Sequence, residues 1–330
     1  MIYFFLFNLF IYLFFDKIKN IYNVYDQPDF IRKIHKKKIP LFGGFYLILN
    51  LTLIFIFHLI NDTALAKLLL IFNNQKEALI FFFISCLIFV CGYFDDKFGI
   101  TPFKKLFSIS FIIASFLLLD ENSLIKNLQF AFYSENVELK KFSFLFTFLC
   151  MIILINAINM FDGVNLQLGL YSFFIFLVFY IKSNNIFFIV LIIFLIFFLF
   201  LNLANKTFLG DSGSLLLGFI FSYFLINFYN RDYLEVEGVI LLTFLPILEF
   251  LRIFFHRLLK GNNPFIADNN HLHHFLLKKF KLIFVIFILF LFFAAPYILF
   301  ILLQISFIYI FISFIFCYFL IIFLLIKKII

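Results

Sequence analysis

Long runs of Phe, Ile and Leu alternate with short polar interruptions along the whole of this chain. The runs lack both the strict two-residue alternation of a half-buried strand and a narrow apolar stripe of helical period; they are apolar all round. Most are about 15 to 23 residues long, close to what a helix needs to cross a hydrocarbon layer. They fall at 1–15, 42–60, 78–94, 106–119, 142–158, 166–181, 186–203, 214–229, 238–255, 282–303 and 305–326. The pattern therefore predicts an all-α, polytopic integral membrane bundle of about eleven transmembrane helices, read as one domain over 1–330. The run at 106–119 is short, and the last two are separated only by a few residues around Gln304. The first run has no basic segment ahead of it and no small-residue cleavage site, so it reads as a membrane helix and not a removable leader.

Composition supports the same class. Hydrophobic residues make up 65% of the 330, charged residues 13%, and mean hydropathy is +1.13. That is more apolar surface than a soluble core of this length hides. The net charge of +8 is concentrated in a few loops and calls for membrane lipid, with no nucleic-acid partner. If the loop after the first run is cytoplasmic, 19 of the 26 basic residues lie on that side. The positive-inside rule then predicts an outside N-terminus and a cytoplasmic C-terminus. The four cysteines lie in or beside apolar runs without metal-ligand spacing and read as packing residues.

In this topology the polar interruptions with chemical potential all reach the cytoplasmic face. The segment CGYFDDKFGITPFKK ends an apolar run on two adjacent carboxylates, Asp95 and Asp96. NAINMFDG spaces Asn156, Asn159 and Asp162 at i, i+3 and i+6, one polar stripe at a helix end. Its amide oxygens and acid suit a hard cation or sugar hydroxyls, although polar residues at such positions also serve simply to bind neighbouring helices. In FLGDSGS, Gly210 and Gly213 permit a tight turn. The start of the next helix is expected to offer free N–H groups to a phosphate, with Asp211 ligating a bridging cation. GDSGS alone is as common in turns as in sites, and no Gly-Lys-Ser/Thr follows to make it a Walker A loop. The loop around 264–274 holds His271, His273 and His274 beside Asp268, a set better suited to a diphosphate than to zinc, since no cysteine is near. The first loop, DQPDFIRKIHKKKIPLFGG, reads as a basic anchor at the head-group level, and the Gly43–Gly44 pair permits close approach of backbone or ligand.

Taken in order, these five motifs resemble the polyprenyl-phosphate N-acetylhexosamine-1-phosphate transferase superfamily, of glycosyltransferase 4 type, over about residues 20 to 280. The HLHH form and RKIHKKKIP are more similar to the bacterial UDP-N-acetylglucosamine:undecaprenyl-phosphate branch than to the muramoyl-pentapeptide branch. The resemblance implies a multi-pass enzyme of the bacterial inner membrane with its active site facing the cytoplasm. It would move a sugar 1-phosphate from a UDP-N-acetylhexosamine to undecaprenyl or another polyprenyl phosphate and release UMP, the first membrane step of a cell-wall or lipopolysaccharide-type polysaccharide. It further implies Mg²⁺, or Mn²⁺ in its place, on Asp211 with Asp162 adjacent, and catalytic roles for Asp95, Asp96 and Asp162. Substrate would be bound by Asn156, Asn159, Lys105, Phe208 (stacking on uracil) and the histidines His271, His273 and His274. A homodimer is compatible with it. Three positions depart from the family pattern: Leu41 for Arg, Asn165 for Asp, and Glu249 for Asp. Two other readings are a secondary transporter using its acids for ion coupling and an inactive structural relative. Transport sites lie at the bilayer midplane on broken helices, often in repeats, whereas these acids lie at run ends.

Overall fold

A computed structural model describes residues 1–28, 37–60, 71–133, 135–261 and 270–327. Thirteen helices are described: α1 (Ile2–Leu13), α2 (Phe15–Tyr22), α3 (Gly43–Ile60), α4 (Gln75–Phe98), α5 (Pro102–Leu119), α6 (Ser143–Phe161), α7 (Gln167–Ser183), α8 (Ile186–Leu203), α9 (Gly210–Asn230), α10 (Val236–Leu259), α11 (Leu272–Leu277), α12 (Leu282–Leu302) and α13 (Phe307–Lys327). Two short 3-10 turns, Glu121–Ser123 and Lys140–Phe142, and two antiparallel two-stranded ladders complete the described elements. One joins β1 (Tyr25–Asp26) to β2 (Ile39–Pro40), and the other joins β3 (Asn127–Leu128) to β4 (Val137–Glu138).

Each of the eleven apolar runs falls on one of these helices. Eight helical segments, those of α4, α5, α6, α8, α9, α10, α12 and α13, are long and apolar enough to cross a membrane; the apolar stretches in α1, α3 and α7 are shorter. Outward faces carry large exposed side chains such as Phe103, Phe107, Phe111 and Phe316, the surface expected of helices that meet lipid.

Helix ends follow local chemistry. Asn74 caps α4 by accepting from the Glu77 N–H, and Gly99, at φ +66°, closes its other end. Pro102 opens α5, where its missing N–H costs nothing. Asn185 caps α8 in the same way as Asn74 caps α4.

The centre of the bundle is α9. Every residue from Ser212 to Phe228 is buried, which accounts for its being apolar all round. It packs on α3, α4, α6 and α7, and Phe81 of α4 lies on Phe219 and Tyr223 of α9, with ring centroids 5.5 and 4.7 Å apart. At the start of α9 the approach is closest. A Cβ on Gly92 of α4 or on Gly44 of α3 would strike the backbone at Ser212–Gly213. Gly43 and Gly44 donate their N–H groups to the carbonyls of Phe208 and Leu209, at 2.9 and 3.0 Å. The glycine pair thus admits backbone, not ligand.

Candidate active site

The end of α9 that begins with GDSGS opens onto a cavity of about 1320 Å³. Asp95, Asp96, Lys105, Asn156, Asn159, Asp162, Phe208, Asp211, His271, His273 and His274 all line it. Residues spread over about 180 positions of sequence therefore meet in one place. Asp268 lies outside the described residues, as do His35 and Lys36 of the first loop.

Lys105 ties the acids together. Its Nζ lies 2.8 Å from Asp95 Oδ2 and 2.8 Å from Asp211 Oδ1, and it donates to Asn159 Oδ1 at 3.0 Å. Asn159 in turn donates to Asp211 Oδ1 and, at 2.8 Å, to Ser214 Oγ. The other Asp95 oxygen accepts from the Ile100 N–H at 2.8 Å, pinning the turn that leads into α5. Asn156 bonds back to the Ile152 carbonyl of its own helix, so it presents less free polarity than Asn159.

Asp96 corrects one expectation. Its two carboxylate oxygens accept from the Asp211 and Ser212 N–H groups at 2.7 and 3.0 Å. The first turn of α9 is thus capped by a carboxylate from α4, and those two donors are not free for a phosphate. A carboxylate at a helix N-terminus is doubly favoured, by the unpaired N–H groups and by the helix dipole. Gly210, at φ +71°, leaves the room: a Cβ there would lie 2.7 Å from Asp96 Oδ2.

Asp162 stands just past the end of α6. Loss of solvation, and then the charges of Asp211 and Asp96, push its pKa up to about 7, as burial beside two like charges dictates. His273 is buried, and burial with the adjacent His271 and His274 holds its pKa well below the usual histidine range, so it is neutral at physiological pH. Its ring occupies the space a side chain at Gly163 would need, which brings the HLHH and FDG motifs into contact. His273 Nε2 has no hydrogen-bond partner among the described residues.

Among the described residues no three His, Cys, Asp or Glu side chains form a ready-made metal cage. The donor chemistry nevertheless fits a hard cation: carboxylate oxygens of Asp211 and Asp162, the Asn159 amide and Ser214 hydroxyl border the same cavity, and their excess charge favours one.

Several lining residues carry no signal in the motifs. Arg257, in the last turn of α10, is buried in the wall. Asn202 accepts from the Leu166 N–H at 2.7 Å and donates to the Thr207 carbonyl at 2.9 Å, which supports Leu166 at a φ of +69°, unusual for a branched residue. Asn165, one of the departures, donates to Asn205 Oδ1 at 2.6 Å and the Asn202 carbonyl at 3.1 Å; it braces this turn. Leu41 pairs its N–H with the Val24 carbonyl at 3.0 Å.

The class of protein that this bundle and cavity define agrees with sequence comparison. Residues 78–229 match the profile described as Glycosyl transferase family 4, and the resemblance read from the five motifs is borne out. Curated relatives named undecaprenyl-phosphate alpha-N-acetylglucosaminyl 1-phosphate transferase include one from Escherichia coli O157:H7, 26% identical over 83% of this chain and 74% of its own length. One from Yersinia pestis is 25% identical over 84% and 76%, and one from Salmonella typhi 27% over 77% and 69%. The chain is a multi-pass membrane protein similar to phospho-sugar transferases acting on a polyprenyl phosphate.

Proposed function

We propose that this protein transfers N-acetylglucosamine 1-phosphate, or the 1-phosphate of a related N-acetylated amino sugar, from its UDP-sugar to undecaprenyl phosphate and releases UMP. The observation that carries this reading is the meeting of Asp95, Asp96, Asp162, Asp211, Lys105 and the histidines in one cavity at one end of the bundle. The reading adds eleven spans of the bacterial inner membrane in a single domain; the charge bias of the loops, with the N-terminus outside and the C-terminus inside, supports a cytoplasmic position for that end. There a soluble nucleotide and a lipid can both reach it, and the product would enter cell-envelope polysaccharide synthesis.

An oxygen of the lipid phosphate attacks the phosphorus that bears the sugar, a new P–O bond forms, and the bond to the α-phosphate breaks with its electron pair leaving on UMP. Two anionic phosphates must be brought together, so positioning and charge neutralisation dominate such catalysis. Lys105 neutralises phosphate charge, and its pairing with Asp95 and Asp211 holds its ammonium at the cavity wall. Asp96 acts by holding the start of α9, and with it Asp211, in place. That leaves Asp95 as the member of the pair beside the lipid phosphate. Neutral His273 donates a hydrogen bond to the diphosphate, and Phe208 offers a face to uracil. Mg²⁺ or Mn²⁺ held by Asp211 with Asp162 would supply the remaining neutralisation of phosphate charge.

Incubating membranes containing the protein with labelled UDP-N-acetylglucosamine and undecaprenyl phosphate tests the reading. Label entering the lipid with equimolar UMP is the expected result. Label remaining wholly in the aqueous phase with every N-acetylated UDP-sugar tried would overturn it.

A further inference from the structure

The short helix that carries the histidines has no cap of its own. Its N-cap residue, His271, makes no side-chain capping bond, and the start of the helix must be held in place for His273 to meet Gly163. A carboxylate from α10 does this. Glu249 Oε1 accepts from the Leu272 N–H at 2.7 Å, in the first turn of α11, and from Arg252 Nη2 at 2.8 Å. His271 Nδ1 lies 3.6 Å from the same oxygen. Arg252 Nη2 also donates to the Asn270 carbonyl at 2.6 Å, so the last residue before the histidines is held from α10 as well. The assembly is closed from α13: the Tyr318 hydroxyl donates to Glu249 Oε2 and accepts from Arg252 Nε at 2.6 Å. Glu249 is 5% exposed and Tyr318 fully buried. A surface ion pair would contribute little, but a buried carboxylate with this many donors is costly to disturb and defines one arrangement.

We propose that Glu249 and Tyr318 are positioning residues for the transfer reaction, fastening the start of α11 so that His271 and His273 face the cavity. The last helix, which lies outside the matched segment 78–229, is by this account part of the catalytic apparatus. The inference rests on the transferase reading for its kinetic consequence, but the fastening itself does not.

The departure from the family pattern at position 249, Glu where Asp is usual, becomes intelligible on the same ground. Glu and Asp carry the same charge, and here the extra methylene lets one carboxylate reach Leu272, Arg252 and Tyr318 together.

The test uses full-length purified protein and the variants Glu249→Gln, Glu249→Asp and Tyr318→Phe. Two readouts are taken: carbethoxylation rates of His271 and His273 by mass spectrometry, and the KM for each substrate with kcat. Glu249→Gln should raise histidine labelling about tenfold or more, by releasing a charged buried bond. It should raise the KM for UDP-sugar by a similar factor while the KM for polyprenyl phosphate stays put. Glu249→Asp should restore part of both effects. Tyr318→Phe should shift both in the same direction by about threefold to tenfold. If labelling rises and no transfer is seen even in the wild type, the fastening stands and the transferase reading fails. Unchanged labelling in all three variants, or loss of melting temperature with both KM values unaltered, overturns the proposal and leaves a merely structural knot.

Discussion

Helices α4 and α9 run antiparallel against each other, and α4 brings acids to both ends of the pair. At the start of α4, Glu77 is enclosed. One oxygen accepts from the Tyr223 hydroxyl and from Asn227 Nδ2 at 3.2 Å, the other from the Asn73 N–H at 2.9 Å, and Arg231 Nη2 stands 3.9 Å away. At the far end of α4, Asp95 and Asp96 meet Asp211 with a single close ammonium, that of Lys105, and the cluster faces a large cavity. Both regions are polar islands in an apolar bundle, and both bury carboxylates. They differ in what the carboxylates face: both Glu77 oxygens have donors within the protein, although Asn227 Oδ1 and the Nε and Nη2 atoms of Arg231 have no hydrogen-bond partner among the described residues, while the aspartates face a cavity. An enclosed carboxylate with its donors in place stabilises; carboxylates facing open space are the arrangement that recruits cations.

The largest effect expected from breaking this contrast is at Lys105. Lys105→Met leaves two carboxylates uncompensated, and unpairing a buried charge costs about 3–5 kcal/mol, so UMP release should fall about a thousandfold, measured on purified protein. Next is Gly163→Ala, whose methyl group would enter the His273 ring. Overpacking of this kind costs about 1–3 kcal/mol; transfer should drop about tenfold to a hundredfold while the folded fraction by size-exclusion chromatography is retained. Glu77→Gln probes the closed end: denaturant titration should show about 1–3 kcal/mol of lost stability, with kcat per folded molecule unchanged. The smallest effect concerns the rim. Lys37 and Lys38 line the cavity, and attraction of an anionic lipid surface contributes about 1 kcal/mol per lysine. Each Lys→Gln change should raise the KM for polyprenyl phosphate by about fivefold and leave that for UDP-sugar alone; equal shifts in both would place these lysines at the nucleotide instead.

Much of this was legible in the chain. Helix positions follow from apolar runs that nothing else in the sequence interrupts, and Asp95, Asp162, Asp211 and the histidines stand out because charge is rare in such runs. Their meeting in one cavity follows from helices of similar length that place every run end near one of two faces. What the chain does not disclose is which distant group completes each helix end. The N–H groups of Asp211 and Ser212 look free in sequence, yet Asp96, 115 and 116 positions away, takes both. Tyr318 lies among eight hydrophobic neighbours in α13, and only packing reveals that its hydroxyl reaches Glu249. Arg252 stands out in sequence as a charge within the run 238–255, but its partners Glu249, Tyr318 and Asn270 do not.

The contrast between the two ends of the α4–α9 pair is tested most directly by measuring UMP release and unfolding free energy side by side in Asp211→Asn and Glu77→Gln. Asn has nearly the size of Asp, the start of α9 keeps its Asp96 cap and Lys105 keeps Asp95 as a partner, so Asp211→Asn should remove about a thousandfold or more of turnover while stability stays within about 1 kcal/mol of wild type. Glu77→Gln should show the reverse. Near-normal turnover in Asp211→Asn, or turnover lost in Glu77→Gln with its stability intact, would contradict the division of the molecule into a reactive end and a structural one.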